Sequence, residues 1–125
     1  MDTDKFKSAY AESRNGVNHF CRNPLYPKFL YSDGVKECAE AGCYWLLDIL
    51  GTEVPAKFKA NPNAYLMIVE VTVQGSSADI VGSFTDNVVD YQRCIEWTDL
   101  PEGAWTFYIG NDGDGLLRCI LPTEY

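Results

Sequence analysis

The chain has 125 residues, 18 acidic and 10 basic side chains, a net charge of −8 and a pI near 4.4. That length fits one domain able to bury a core without staples, and 46% hydrophobic residues with 14% aromatics mark a folded protein rather than an acidic disordered tail. The shortage of Lys and Arg disfavours nonspecific nucleic-acid binding, and a single His leaves most His-dependent catalytic schemes short of a partner.

Taken in chain order, Met1 to Ala11 is polar with Phe6 and Tyr10 four apart, which predicts one or two turns of helix. The opening Met1-Asp2-Thr3-Asp4 lacks the basic start and apolar run of a secretory signal. From Asn15 to Tyr31, Gly16, Pro24 and Pro27 alternate with Phe20, Tyr26, Phe29 and Tyr31, an irregular N-terminal arm (1–31) anchored by aromatic rings. The main helix is predicted over 32–51. Ser32 or Asp33 caps its start, Gly51 stops it, and Val35, Cys38, Ala39, Gly42, Trp45, Leu46 and Ile49 recur at helical spacing. Ala39, Ala41 and Gly42 leave room for close approach by another backbone. Asp48, beside Leu47, is suited to capping or to accepting from a buried partner.

After a connection with Pro55 and Pro62 the period falls to two. Tyr65, Met67, Val69, Val71 and Val73 alternate with Leu66, Ile68, Glu70 and Thr72. Runs at 79–85, 89–97, 105–109 and 116–121 follow across short turns, including Asn111-Asp112-Gly113-Asp114-Gly115. Short turns between successive strands imply antiparallel pairing. The expected fold is α+β: a single domain with one main amphipathic helix on a curved antiparallel sheet of about five strands in meander order, spanning 64–121.

No metal or cofactor site is expected. The 111–115 loop lacks the ligand pattern of a calcium site, and Cys38 and Cys43 lie about 140° apart on a helix, wrong for zinc. Cys21, Cys38, Cys43, Cys94 and Cys119 read as free thiols of a reducing compartment. No apolar run approaches the roughly 20 residues of a membrane span, so a soluble protein of the cytoplasm is expected. A His19 and Cys21 nucleophilic pair has no spacing argument behind it, and the chain is read as not an enzyme.

At Leu30-Tyr31-Ser32-Asp33-Gly34-Val35-Lys36, then Ala39-Glu40-Ala41-Gly42 and Tyr44-Trp45-Leu46-Leu47-Asp48-Ile49, the chain resembles a small uncharacterised domain family of bacteria, phages and mobile elements. The ending Leu121-Pro122-Thr123-Glu124-Tyr125 resembles that family too. In the family the arm reads Gly-Thr-Glu, aromatics, then Arg-His-Pro-Leu. Here Asn18 and Asn23 stand at the Glu and His positions, so an acid-base role there is lost. The resemblance implies no settled activity, but some relatives look like anti-defence proteins, including inhibitors of CRISPR nucleases.

Charge is unevenly placed. Residues 64–125 hold ten carboxylates against Arg93 and Arg118, so the whole excess of −8 belongs to the sheet half. Such a field draws basic partners. The leading expectation is a small phage-type protein acting by protein–protein binding. In its most concrete form it is an anti-CRISPR-like inhibitor whose Asp79, Asp86, Asp90, Glu96 and Asp99 meet the basic groove of a nucleic-acid-binding effector, with no direct contact to nucleic acid or membrane. Two other readings are a ligand pocket or enzyme site between the arm aromatics and the helix, and a homodimer.

Overall fold

The computed structural model describes residues 1–12, 16–17 and 19–125, so Asn18 lies outside the described residues. The elements in order are α1 (Thr3–Ala11), β1 (Phe20–Arg22), β2 (Phe29–Ser32), α2 (Asp33–Glu40), α3 (Tyr44–Ala60), β3 (Leu66–Gln74), β4 (Ser77–Ser83), β5 (Tyr91–Ile95), β6 (Gly103–Asn111), β7 (Leu117–Ile120) and a 3-10 turn at Pro122–Glu124. The class is α+β. The sheet has seven strands in the order β1-β2-β7-β6-β3-β4-β5, and all pairs are antiparallel except β2 with β7.

The expected helix at the start is present. Asp2 caps it by accepting from the Lys5 amide at 3.0 Å. Phe6 is fully buried, and Trp105 of β6 meets both Phe6 and Tyr10 edge-on with ring centroids 5.0 Å apart. Tyr10 also accepts from the Thr106 amide at 2.9 Å, which fastens α1 to the sheet.

The single helix expected over 32–51 is instead two. Its start is as expected: the Ser32 hydroxyl accepts from the Val35 amide at 3.1 Å. The break falls at Gly42, whose φ of 131° favours glycine, and a Cβ there would stand 2.9 Å from the Met1 Cα. The backbone that approaches the small residues is the chain's own, since the Asp2 amide donates to the Ala41 carbonyl at 2.6 Å. Beyond the break α3 runs through Gly51 and over the expected connection to Ala60. Pro55 lies inside it, so the Gly51 carbonyl loses its usual helical donor. Gly51 is a contact residue rather than a stop. The Tyr26 ring lies so close that a Cβ would be 2.5 Å from its Cδ2, and the Tyr26 hydroxyl donates to Asp48 at 2.9 Å.

The sheet corrects the expectation of five strands in meander order. Two extra strands come from the arm. All four residues of β2 are buried, so it shows no alternation, and its apolar run between Pro27 and the helix reads as irregular in sequence. The meander fails after β5. Residues 96–102 carry the chain back so that β6 pairs with β3, placing Trp105, Phe107 and Ile109 opposite Val71, Val69 and Met67. The sheet stays open, with β1 and β5 at its edges, rather than curling.

Met67, Val69, Val71 and Val73 are buried on the helix side, as their alternation predicts, each contributing about 1.5–3 kcal/mol, whereas Tyr65, expected on the same face, lies just before β3 and is exposed. Facing them are Leu46, Leu47, Leu50, Val54 and Phe58 of α3 and Val35 and Cys38 of α2. Among the described residues no helix is long and apolar enough to cross a membrane.

Burial raises the pKa of several core groups and so disfavours their ionisation. The Cys43 thiol is pushed up to about 12 by desolvation, with Asp99 adding repulsion. Cys119, Tyr26 and Tyr91 are raised as well, chiefly by burial. Groups raised on folding stabilise fully below their unfolded pKa and lose that contribution as pH climbs. The urea midpoint should therefore begin to fall near pH ~9 and fall further toward pH ~12. A midpoint unchanged between neutral pH and pH ~11 would show that these groups open to solvent.

Candidate binding surface

Alternation along β3 sends Ile68, Glu70 and Thr72 to the face opposite the helices. Glu70 lies between Val81 of β4 and Thr106 of β6, while Thr72 lies between Asp79 and Ala104. Asp79 and Glu70 are therefore diagonal neighbours, about 7–8 Å apart. On the next strand Cys94 lies opposite Asp79. Its thiol pKa is raised because it donates to the Asp79 carboxylate, whose charge adds to the effect.

The segment between β4 and β5 borders a shallow groove of about 400 Å3 on this face. Ile68 and Val81 give it an apolar floor, and Glu70, Asp86 and Ser83 supply polar groups. Asp90 fixes the loop: its carboxylate accepts from the Phe84 amide at 2.8 Å and its own amide donates to the Gly82 carbonyl at 2.9 Å. Asn87 adopts a φ of 63°, and Val88 and Val89 stand exposed at the loop tip.

The five carboxylates singled out in sequence occupy four places. Asp79 is on the open face and Asp86 is in the groove. Asp90 is the loop's internal acceptor. Glu96 and Asp99 lie beyond the far end of β5, where Asp99 meets the Met1 amine at 3.0 Å. Glu70, absent from that set, joins Asp86 at the groove; the period-two alternation of β3 already placed it on the exposed side.

The remaining carboxylates of this half are engaged. Glu102 accepts from the Gly75 amide at 2.6 Å. Asp112 and Asp114 pair with Arg118, and Asp114 is held down at about 2 by its hydrogen bonds from that guanidinium. Glu124 is buried against Ser32. Arg93 is paired with Glu53, which also accepts from the Tyr91 hydroxyl at 2.9 Å. Both arginines of the sheet half are thus already neutralised. Among the described residues the Glu70, Asp86 and Glu96 carboxylates have no hydrogen-bonding or ionic partner.

Residues 6–125 match DUF6876, a family of unknown function. The chain belongs to this family. A stretch of 120 residues is also 33% identical to part of DNA polymerase theta from Mus musculus, covering 91% of this chain and 4% of that protein. The chain therefore spans only a small fraction of that relative's length. No solved structure matches.

In this DUF6876 member three of the four arm aromatics belong to the core. Tyr26, Phe29 and Tyr31 are buried, and Phe20 is the exposed ring of the four, lying 5.8 Å beneath the Arg118 guanidinium. Cys43 donates its thiol to the Cys38 carbonyl at 3.3 Å. Among the described residues no group of three His, Cys, Asp or Glu side chains is placed to hold a metal. The 111–115 segment forms the expected hairpin turn, with Asn111 accepting from the Gly113 amide at 3.0 Å.

Proposed function

We propose that this protein acts by binding a basic protein surface through the helix-free side of its sheet and the β5 end beside it. Its most specific form is an inhibitor of phage or mobile-element type. In the host cytoplasm it would occupy the groove in which an effector nuclease of the CRISPR kind holds nucleic acid, placing carboxylates where phosphates would sit. The activity is binding rather than turnover.

The observation that carries this reading is the exposed, unpaired state of Glu70, Asp86 and Glu96, beside Asp79, while Arg93 and Arg118 are tied to carboxylates. An uncompensated field of this kind accelerates association with a basic surface and weakens as salt rises. Carboxylates also accept from arginine in the same bidentate geometry as phosphate.

The test is capture of partners from the native host at low salt with the natural chain and with a Glu70→Lys, Asp79→Lys, Asp86→Lys variant. The natural chain should retain a nucleic-acid-binding protein that added DNA or RNA displaces. The variant should bind it at least about tenfold more weakly, with an unchanged melting curve. Equal retention by both chains would overturn the electrostatic reading.

A further inference from the structure

Trp97 is 81% exposed just past the end of β5 and stacks on no other ring among the described residues. Trp45, in the first turn of α3, lines the same shallow surface depression of about 460 Å3. Trp45 is partly buried and rests on the core, so one indole is anchored and the other stands free. Asp99 completes the wall with Ser76 and Thr98.

The segment carrying Trp97 is held in place. The Thr98 amide donates to the Ser76 carbonyl at 2.7 Å, and its hydroxyl accepts from the Leu100 amide at 3.1 Å. Asp99 is 64% exposed, and one of its oxygens, Oδ2, holds the Met1 amine. Its other oxygen has no partner among the described residues.

Two indole side chains beside a carboxylate with one oxygen unengaged suit the chemistry of a guanidinium. That group is planar, stacks on aromatic rings and donates in a fork to a carboxylate, whereas an ammonium offers only a point charge. We propose that this cleft takes an arginine side chain from a basic segment of a partner protein. The proposal rests on the basic-partner reading above and adds its anchor. The occupant is fixed by charge, because the acidic half that contains Trp97 and Asp99 would repel an anionic ligand. An exposed Trp paired with an incoming Arg is also the composition of an interface hot spot.

The test uses peptides of alternating Arg and Ser, their Lys counterparts and their citrulline counterparts, titrated into the full chain at low salt while the three indole N–H signals are followed by NMR. Trp105 is the internal control, since its indole donates to the Pro101 carbonyl at 2.8 Å inside the α1 contact. The Arg peptide should move the Trp45 and Trp97 signals and leave Trp105 in place. The Lys peptide should bind more weakly and the citrulline peptide should not bind.

Trp97→Ala should weaken the Arg peptide by about tenfold or more, and Trp97→Phe should retain much of the affinity. Because Trp97 is exposed, both variants should melt like the natural chain. Full binding by Trp97→Ala, lost only in the Glu70, Asp79, Asp86 reversal, would overturn the arginine anchor and leave the basic-partner reading standing. Arg-peptide binding unaffected by either change would overturn both.

Discussion

Replacing Glu124 with alanine should lower the unfolding free energy by about 3–5 kcal/mol, a large share of the roughly 5–15 kcal/mol that a domain commonly has. Glu124 is only 4% exposed, and its two oxygens take three donors: the Ser32 hydroxyl at 2.6 Å, the Gly34 amide at 3.3 Å and the Leu121 amide at 2.9 Å. Two of these belong to the first turn of α2, where amides lack helical partners and a carboxylate is favoured by the helix dipole. The third holds the 3-10 turn that carries Glu124 itself. Alanine would leave all three donors buried without an acceptor. Urea unfolding of Glu124→Ala against Glu124→Gln measures the effect, because the amide keeps one acceptor oxygen and should recover part of the loss. A difference below about 1 kcal/mol would mean that water reaches these donors. Ser32→Ala should couple to Glu124→Ala in a double-mutant cycle, since the Ser32 hydroxyl serves both the carboxylate and the Val35 amide.

Gly51→Ala should destabilise by about 1–3 kcal/mol even though alanine is the better helix former by about 1 kcal/mol. The added Cβ would stand 2.5 Å from Cδ2 and 2.8 Å from Cε2 of Tyr26. These are ring atoms of a residue 7% exposed and packed edge-on against Phe29 at 6.1 Å, so the ring has little room to retreat. Moving it also strains the hydrogen bond from the Tyr26 hydroxyl to Asp48. Thermal melts of Gly51→Ala alone and with Tyr26→Ala check the mechanism. In the double variant the clash is gone, so the Gly51→Ala step should become neutral or stabilising. A stabilised single variant would show that the arm yields to α3.

Much of the sheet was legible because its alternation is regular: Met67 to Val73 announced both the strand and its buried side. Ser32 was legible as a helix start because a hydroxyl before an apolar-periodic run has one obvious use. Gly51 misled, since a glycine that ends a helix and one that admits an aromatic ring look alike until the ring is placed. Gly42 offered a gap of the right size, but nothing nearby named Met1 and Asp2 as what fills it. The strand β2 was hidden because a strand buried on both faces has no alternation. The position of β6 beside β3 follows from which apolar sets fit together across space.

The surface was legible to a similar depth. Charge counting located the acidic half, but it could not separate Asp90 and Glu124, engaged inside the fold, from Glu70 and Asp86 on its exterior. Trp45 and Trp97 lie on opposite sides of the sequence midpoint, and only the fold brings them to one cleft.

The parallel pairing of β2 with β7 has a consequence for how the chain reaches this structure during synthesis. Leu30 and Tyr31 gain their ladder partners Arg118 and Cys119 only across a long stretch of intervening sequence, and α2 waits for Glu124, 90 residues after Gly34, in the same way. A nascent chain carrying only α1 to β4 has apolar helix faces and no completed sheet edge to cover β2. Contacts of such long sequence separation slow folding. The apolar faces of the first half are thus completed only when the segment carrying β7 joins them.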